Sequence, residues 1–161
     1  MDQNKSGDKI RNYKLKRNII IALIVLWIAF IFAHSAMSAE ASTGESGAVM
    51  AFLRRLIEPV FGVRLSLFLV RKSAHLFEFF VLGVLFASLL RTLRKERFFH
   101  ESYAFLCGLA TAVADESIQL FSYERTPKVA DILIDCAGVL LGILIFRAVI
   151  LIASKIKKSK K

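Results

Sequence analysis

The chain has 161 residues, 56% of them apolar, with 14 Phe against only 2 Pro and 8 Gly, and its mean hydropathy is +0.56. Soluble domains average about 45–50% apolar with glycine counted, so the excess calls for a surface that does not face water. This excludes a soluble enzyme, a secreted disulfide scaffold and a fibrous protein, and leaves a small polytopic membrane protein. The net charge of +10 raises a nucleic-acid reading, but most of the basic residues sit in loops and tails, where membrane topology and anionic lipid account for them. No nucleic-acid partner is expected. Cys107 and Cys136 both lie inside apolar runs and read as small core residues, without a disulfide framework.

At about 20 apolar residues per crossing, the length has room for four or five spans. A basic segment, 1–18, precedes the apolar run Ile19–Ala33. The run reads as a membrane anchor rather than a cleaved signal, because Ser35–Ala39 offers a poor cleavage site. In Ala48–Phe61, Val49, Phe52, Leu53, Leu56, Ile57, Val60 and Phe61 recur at helical spacing against Arg54, Arg55 and Glu58. That stretch is too short and too charged to span. It predicts an amphipathic helix in the interface, ended near Pro59 and Gly62, and a helix folded back on the bundle fits the same pattern. Further spans are predicted at Leu67–Leu90, Tyr103–Phe121 and Val129–Ala153. The expected architecture is all-α: a four-helix membrane domain over 19–153, one short interfacial helix, and a basic tail, 154–161.

Lys and Arg number 6 in the N-terminal segment, 4 in Arg91–Arg97 and 5 in Lys155–Lys161. With four spans these segments share one face, which the positive-inside rule places in the cytoplasm of a cell-membrane protein with both termini inside. On this topology the polar residues inside the spans fall at one depth. Lys72, His75 and Glu78 open the second span, Asp115, Glu116 and Gln119 close the third, and Asp131 and Asp135 open the fourth. Each lies within roughly 10–16 Å of the outer boundary at a rise of about 1.5 Å per residue. Asp131 and Asp135 are one turn apart and point together, as do Asp115 and Gln119. Five acids with His75, Lys72 and Arg125 predict a net acidic pocket in the outer half of the bilayer, where crowded carboxylates call for protons, a cation or a metal. Such a pocket suits general acid or base work, proton carriage or an oxygen-ligand cage. Polar interhelical packing accounts for any one of these residues, and less readily for the whole set. His34, at the outer end of the first span, is placed to join the pocket, although as a lone residue it reads more readily as a wetted interface histidine. Gly83, Gly108 and the GxxxG step Gly138–Gly142 mark close helix contacts.

These residues also form motifs. Arg71-Lys72-Ser73-Ala74-His75-Leu76-Phe77-Glu78-Phe79 resembles the R-K-x-x-H-x-x-E-[YF] signature of VanZ-like membrane proteins. Asp115-Glu116-Ser117-Ile118-Gln119-Leu120-Phe121 resembles that family's D-E-x-x-Q-x-F segment. Arg125 followed by Asp131 to Gly138 is similar to its R-x(4–6)-D-x-x-x-D-x-x-G element, and Phe32 to Ala36 to its F-x-x-S-[AS] exit from the first helix. The resemblance covers about residues 30–146. It departs at Ser122-Tyr123-Glu124, where relatives carry a proline or glycine, which leaves the turn of that loop open. The resemblance implies a four-helix integral membrane protein and, through the founding member, a link to glycopeptide antibiotic resistance at the outer face.

Three functions fit. In the first, a membrane-embedded enzyme acts on a lipid or lipid-linked envelope precursor. There His75 is base or ligand, Glu78, Asp115 and Glu116 assist, Asp131 and Asp135 hold a divalent cation or share a proton, and Lys72, Gln119 and Arg125 bind substrate. The second is a non-catalytic binder of envelope lipid or of a glycopeptide. The third is a proton- or ion-coupled carrier, which the apolar inner halves of the second and third spans disfavour.

Overall fold

The computed structural model describes residues 3–37, 39–62, 66–93, 100–122 and 128–159. Among them there are five α-helices and no strand: α1 (Gln3–Ser35), α2 (Ala39–Phe61), α3 (Leu67–Leu93), α4 (His100–Gln119) and α5 (Val129–Ser159). Three stretches, Arg11–Ser35, Leu67–Leu93 and Val129–Ser159, are long and apolar enough to cross a membrane. The remaining expected span, α4, has only 20 residues and places Asp115, Glu116 and Gln119 in its last turns. Its crossing therefore does not follow from apolar length.

The helix ends have local causes. Ser66 caps α3, its Oγ accepting from the Leu69 N–H at 3.2 Å. Gly62, at φ +64°, stops α2 in the left-handed conformation that a side chain disfavours. The last turn of α4 tightens, with Phe121 N–H donating to the Ile118 carbonyl and Ser122 N–H to that of Gln119. Two helices run longer than expected. The basic stretch before Ile19 continues α1 back to Gln3, because Lys and Arg are good helix formers. Helix α2 starts at Ala39 rather than Ala48.

Helix α3 touches all four other helices, and α4 and α5 pack on each other as well. The core between them holds Ile24, Ile31, Phe79, Leu82, Phe86, Ala104, Ala112, Val139 and Ile143. Outside it, Leu23, Val25 and Leu26 on α1, Leu106 and Val113 on α4, and Leu140, Leu144 and Val149 on α5 stand exposed. Hydrocarbon chains around the bundle would cover that apolar surface. Cys107 belongs to it and is exposed, contrary to its expected place in the core. On α2, Val49, Phe52 and Leu56 are exposed, while Leu53 is half-buried. The side chains of Ile57, Glu58, Val60 and Phe61, part of the expected amphipathic pattern, lie outside the described residues.

Candidate functional site

Four links define one end of the bundle. Lys72 Nζ pairs with Asp131 Oδ1 at 2.5 Å. The Lys128 N–H donates to Glu116 Oε2 at 2.9 Å. Ser122 Oγ donates to the Ser35 carbonyl at 3.0 Å. His34 Nδ1 donates to Glu78 Oε1 at 2.9 Å. The ends of α1 and α4 and the starts of α3 and α5 therefore meet here. At the opposite end the Tyr13 hydroxyl donates to the Thr92 carbonyl, and Arg147 donates to Glu101 at 2.8 Å.

Glycine brings the acidic helices together. At Gly138 a Cβ would run into the Leu76 carbonyl of α3, and at Gly142 into that of Phe80. From the other side, Val139 fills the space a side chain would need at Gly83 on α3 and Gly108 on α4. The contact sits one turn beneath Asp135, so α5 approaches α3 backbone to backbone just below the polar groups.

One turn above that contact, His75, Asp115 and Asp135 converge from α3, α4 and α5. His75 Nδ1 lies 3.7 Å from Asp135 Oδ1. The three residues each offer one ligand atom, and these atoms all lie within 4.8 Å of one another. Asp115 and Asp135 are fully buried, and neither carboxylate oxygen of Asp135 has a hydrogen-bond partner among the described residues. Glu78 Oε2 is likewise buried and without one. Ser35 and Gln119 stand beside Asp115, and the negative charges of Glu78, Glu116 and Asp131 all bear on Asp135. A buried carboxylate that makes no hydrogen bond is costly. Two carboxylates and one imidazole at this distance make a donor set that can share a proton or hold a cation.

The other expected residues divide differently. Glu116 is taken up locally: it accepts the N–H of Lys128, one residue ahead of α5, and the Gln119 amide donates to its second oxygen at 3.2 Å. It thereby holds the start of α5, and Gln119 holds it. Asp131 and Asp135, expected to act together on a cation, separate, Asp131 going to Lys72 at the rim and Asp135 to His75 and Asp115 within. Arg125 lies outside the described residues. His34, read more readily as an interface histidine, stands in the site, bonded to Glu78 and stacked on His75 with ring centroids 6.2 Å apart. Ser35 is buried beside it. The only sequence signal for these two is the Phe32 to Ala36 motif. Trp27 adds a further tie, its indole N–H donating to the Glu78 carbonyl at 2.9 Å.

All four motif-bearing segments thus meet around a single cluster. A model of the VanZ/LLP1 family matches residues 20–152, from the start of the apolar part of α1 to near the end of α5. No curated protein and no solved structure matches the chain. With the match spanning every helix that contributes to the cluster, the chain belongs to the VanZ/LLP1 family.

Proposed function

We propose that this protein crosses the cell membrane four times with both termini in the cytoplasm. Its buried His–carboxylate cluster works from the outer leaflet on the polar head of a membrane lipid or lipid-linked cell-envelope precursor. The observation that carries this reading is the trio His75, Asp115 and Asp135, drawn from three helices, with both carboxylates fully buried and the oxygens of Asp135 unsatisfied among the described residues. Packing does not ask for it, since the glycine contacts already join α3 and α5. Ionisable groups kept at such a cost in a membrane mark function. Asp135 holds the His75 imidazole in place, and His75 moves a proton between a water or head-group oxygen and the site, with Asp115 as the second acid. The Lys72–Asp131 pair at the rim is where an anionic head group would compete for the ammonium, and Arg125 is the second rim cation by its position in the sequence.

The fourth crossing is α4. Its 20 residues extend about 30 Å at 1.5 Å per residue, the thickness of the hydrocarbon core. Its polar residues Asp115, Glu116 and Gln119 are turned into the bundle, while Leu106 and Val113 face outward. A carrier is less well supported. Toward the Tyr13–Thr92 end the core closes with Leu82, Phe86, Ala104 and Ile143, which offer a moving ion no ligand. A link to glycopeptide resistance fits the same placement, because changing an outer-leaflet precursor changes what such an antibiotic meets.

The test uses the full chain purified in detergent and incubated with a total bacterial lipid extract, with products read by mass spectrometry. Wild type and Glu101→Gln should convert one lipid class, and His75→Gln and Asp115→Asn should not. Lipid that copurifies and never changes, in wild type as in the variants, would refute the enzyme and favour the binder.

A further inference from the structure

We infer that His75, Asp115 and Asp135 form a binding site for a single divalent first-row transition-metal ion, Zn²⁺ or Mn²⁺. The inference rests on the pocket described above being the working site of the protein. One imidazole nitrogen and two carboxylate oxygens suit this class of cation, whereas Mg²⁺ and Ca²⁺ prefer oxygen alone.

The geometry is near what such an ion needs. Bonds of about 2.0–2.2 Å place tetrahedral ligand atoms roughly 3.4 Å apart. His75 Nδ1 and Asp135 Oδ1 are already 3.7 Å apart, and the Asp115 oxygen joins them within 4.8 Å. Small side-chain rotations close the set. The three ligands come from three helices, α3 and α5 held together at Gly138 and Gly142 and α4 held to α5 where Val139 packs on Gly108, so they are positioned before the ion arrives. Three protein ligands also leave a coordination position for water or a substrate oxygen, the pattern of catalytic rather than structural sites.

Charge makes the stronger argument. Asp131 has Lys72, Glu116 has the Lys128 N–H and Gln119, and Glu78 has His34. Asp115 and Asp135 are both fully buried; Ser35 and Gln119 are the side chains set to hydrogen-bond Asp115, and neither oxygen of Asp135 has a hydrogen-bond partner among the described residues. A divalent cation matches their joint charge and satisfies an oxygen of each. Glu78, bonded to the ring of His34 that stacks on His75, then lies just outside the ligand set and adds to the negative potential that draws a cation in.

The experiment measures metal directly, independently of turnover. The full chain is purified in detergent, stripped with EDTA, dialysed, and titrated separately with Zn²⁺ and Mn²⁺ by calorimetry, with bound metal counted by mass spectrometry. Wild type should bind about one ion per chain and melt at a higher temperature with it. Asp115→Asn, Asp135→Asn and His75→Gln should each lower affinity at least tenfold, while Glu101→Gln binds as wild type. Wild type that binds neither ion, or binding that survives both Asp→Asn changes, overturns the metal site. The wild-type titration decides the matter even where a variant does not fold. If wild type binds neither ion and still turns over lipid, this inference fails and the proposed function stands. If one ion binds through these residues and no lipid is ever turned over, the proposed function fails and the metal site stands.

Discussion

Replacing Gly138 and Gly142 by alanine tests the packing that positions the site. Each new methyl would meet a carbonyl oxygen of α3, that of Leu76 or of Phe80, and backbone cannot rotate aside as a side chain can. Overpacking of this kind costs about 1–3 kcal/mol per site, and the better helix propensity of Ala over Gly returns roughly 1 kcal/mol at each. The double variant should therefore lose on the order of 2 kcal/mol, within limits of about 0 and 4. Because Asp135 stands three residues before Gly138, retreat of α5 also widens the 3.7 Å gap between His75 and Asp135. Thermal and denaturant unfolding in detergent measure the loss. Gly44→Ala and Gly47→Ala are the controls, since a Cβ there meets nothing within 4 Å. They should gain roughly 0.5–1 kcal/mol from helix propensity alone. A double variant as stable as the wild type, with site chemistry unchanged, would show that these glycines do not set the helix spacing.

The Lys72–Asp131 pair, about four-fifths buried on each side, should show coupling of about 0.5–3 kcal/mol in a cycle of Lys72→Met and Asp131→Leu; additive losses would mean that the two do not interact. A reporter active only outside the cytoplasm should give signal when fused near Ser46 and none after Lys161, and signal at Lys161 would remove one of the four proposed spans. Expression in a glycopeptide-sensitive bacterium should raise the inhibitory concentration of a glycopeptide, with Asp135→Asn abolishing the rise. An equal rise from that variant would separate resistance from the cluster.

The order of the helices was legible because apolar runs in a membrane protein are long and unambiguous, and α3 and α5 begin where the sequence places their spans. The early part of α2 was not. Ala39 to Gly47 has no apolar periodicity, so nothing marks it as helical until Val49. Convergence of the acids was legible from depth, because costly residues at one level of three helices need one another. Their partners were not, since partner choice depends on rotation about each helix axis. A rise of one turn took Asp131 to Lys72 and left Asp135 for His75. His34 was only half legible for a related reason, its place in the pocket being the less favoured of two readings. A histidine alone at the end of a span has no signal on its own helix, and Glu78 lies 44 residues away. Glu116 shows the converse, a residue inside a charged motif whose side chain is used to hold the first turn of α5.

The cluster and the core beneath it follow from one arrangement. Four glycines let α5 approach α3 and α4 so closely that Val139 sits against the positions of two of them. At that level the helices meet backbone to backbone, and Phe79, Leu82 and Ile143 are buried around the contact. The same approach, carried one turn further, brings Asp115, Asp135 and His75 within 4.8 Å of one another. Were the helices a few ångströms farther apart, water would enter, the carboxylates would be hydrated, and the cost of holding them would fall. Their attraction for a proton or a metal would fall with it. On the proposed reading, close packing in this protein does two things: it fills the half of the bundle toward Tyr13 and Thr92 with apolar side chains, and it keeps the acids at the other end out of water.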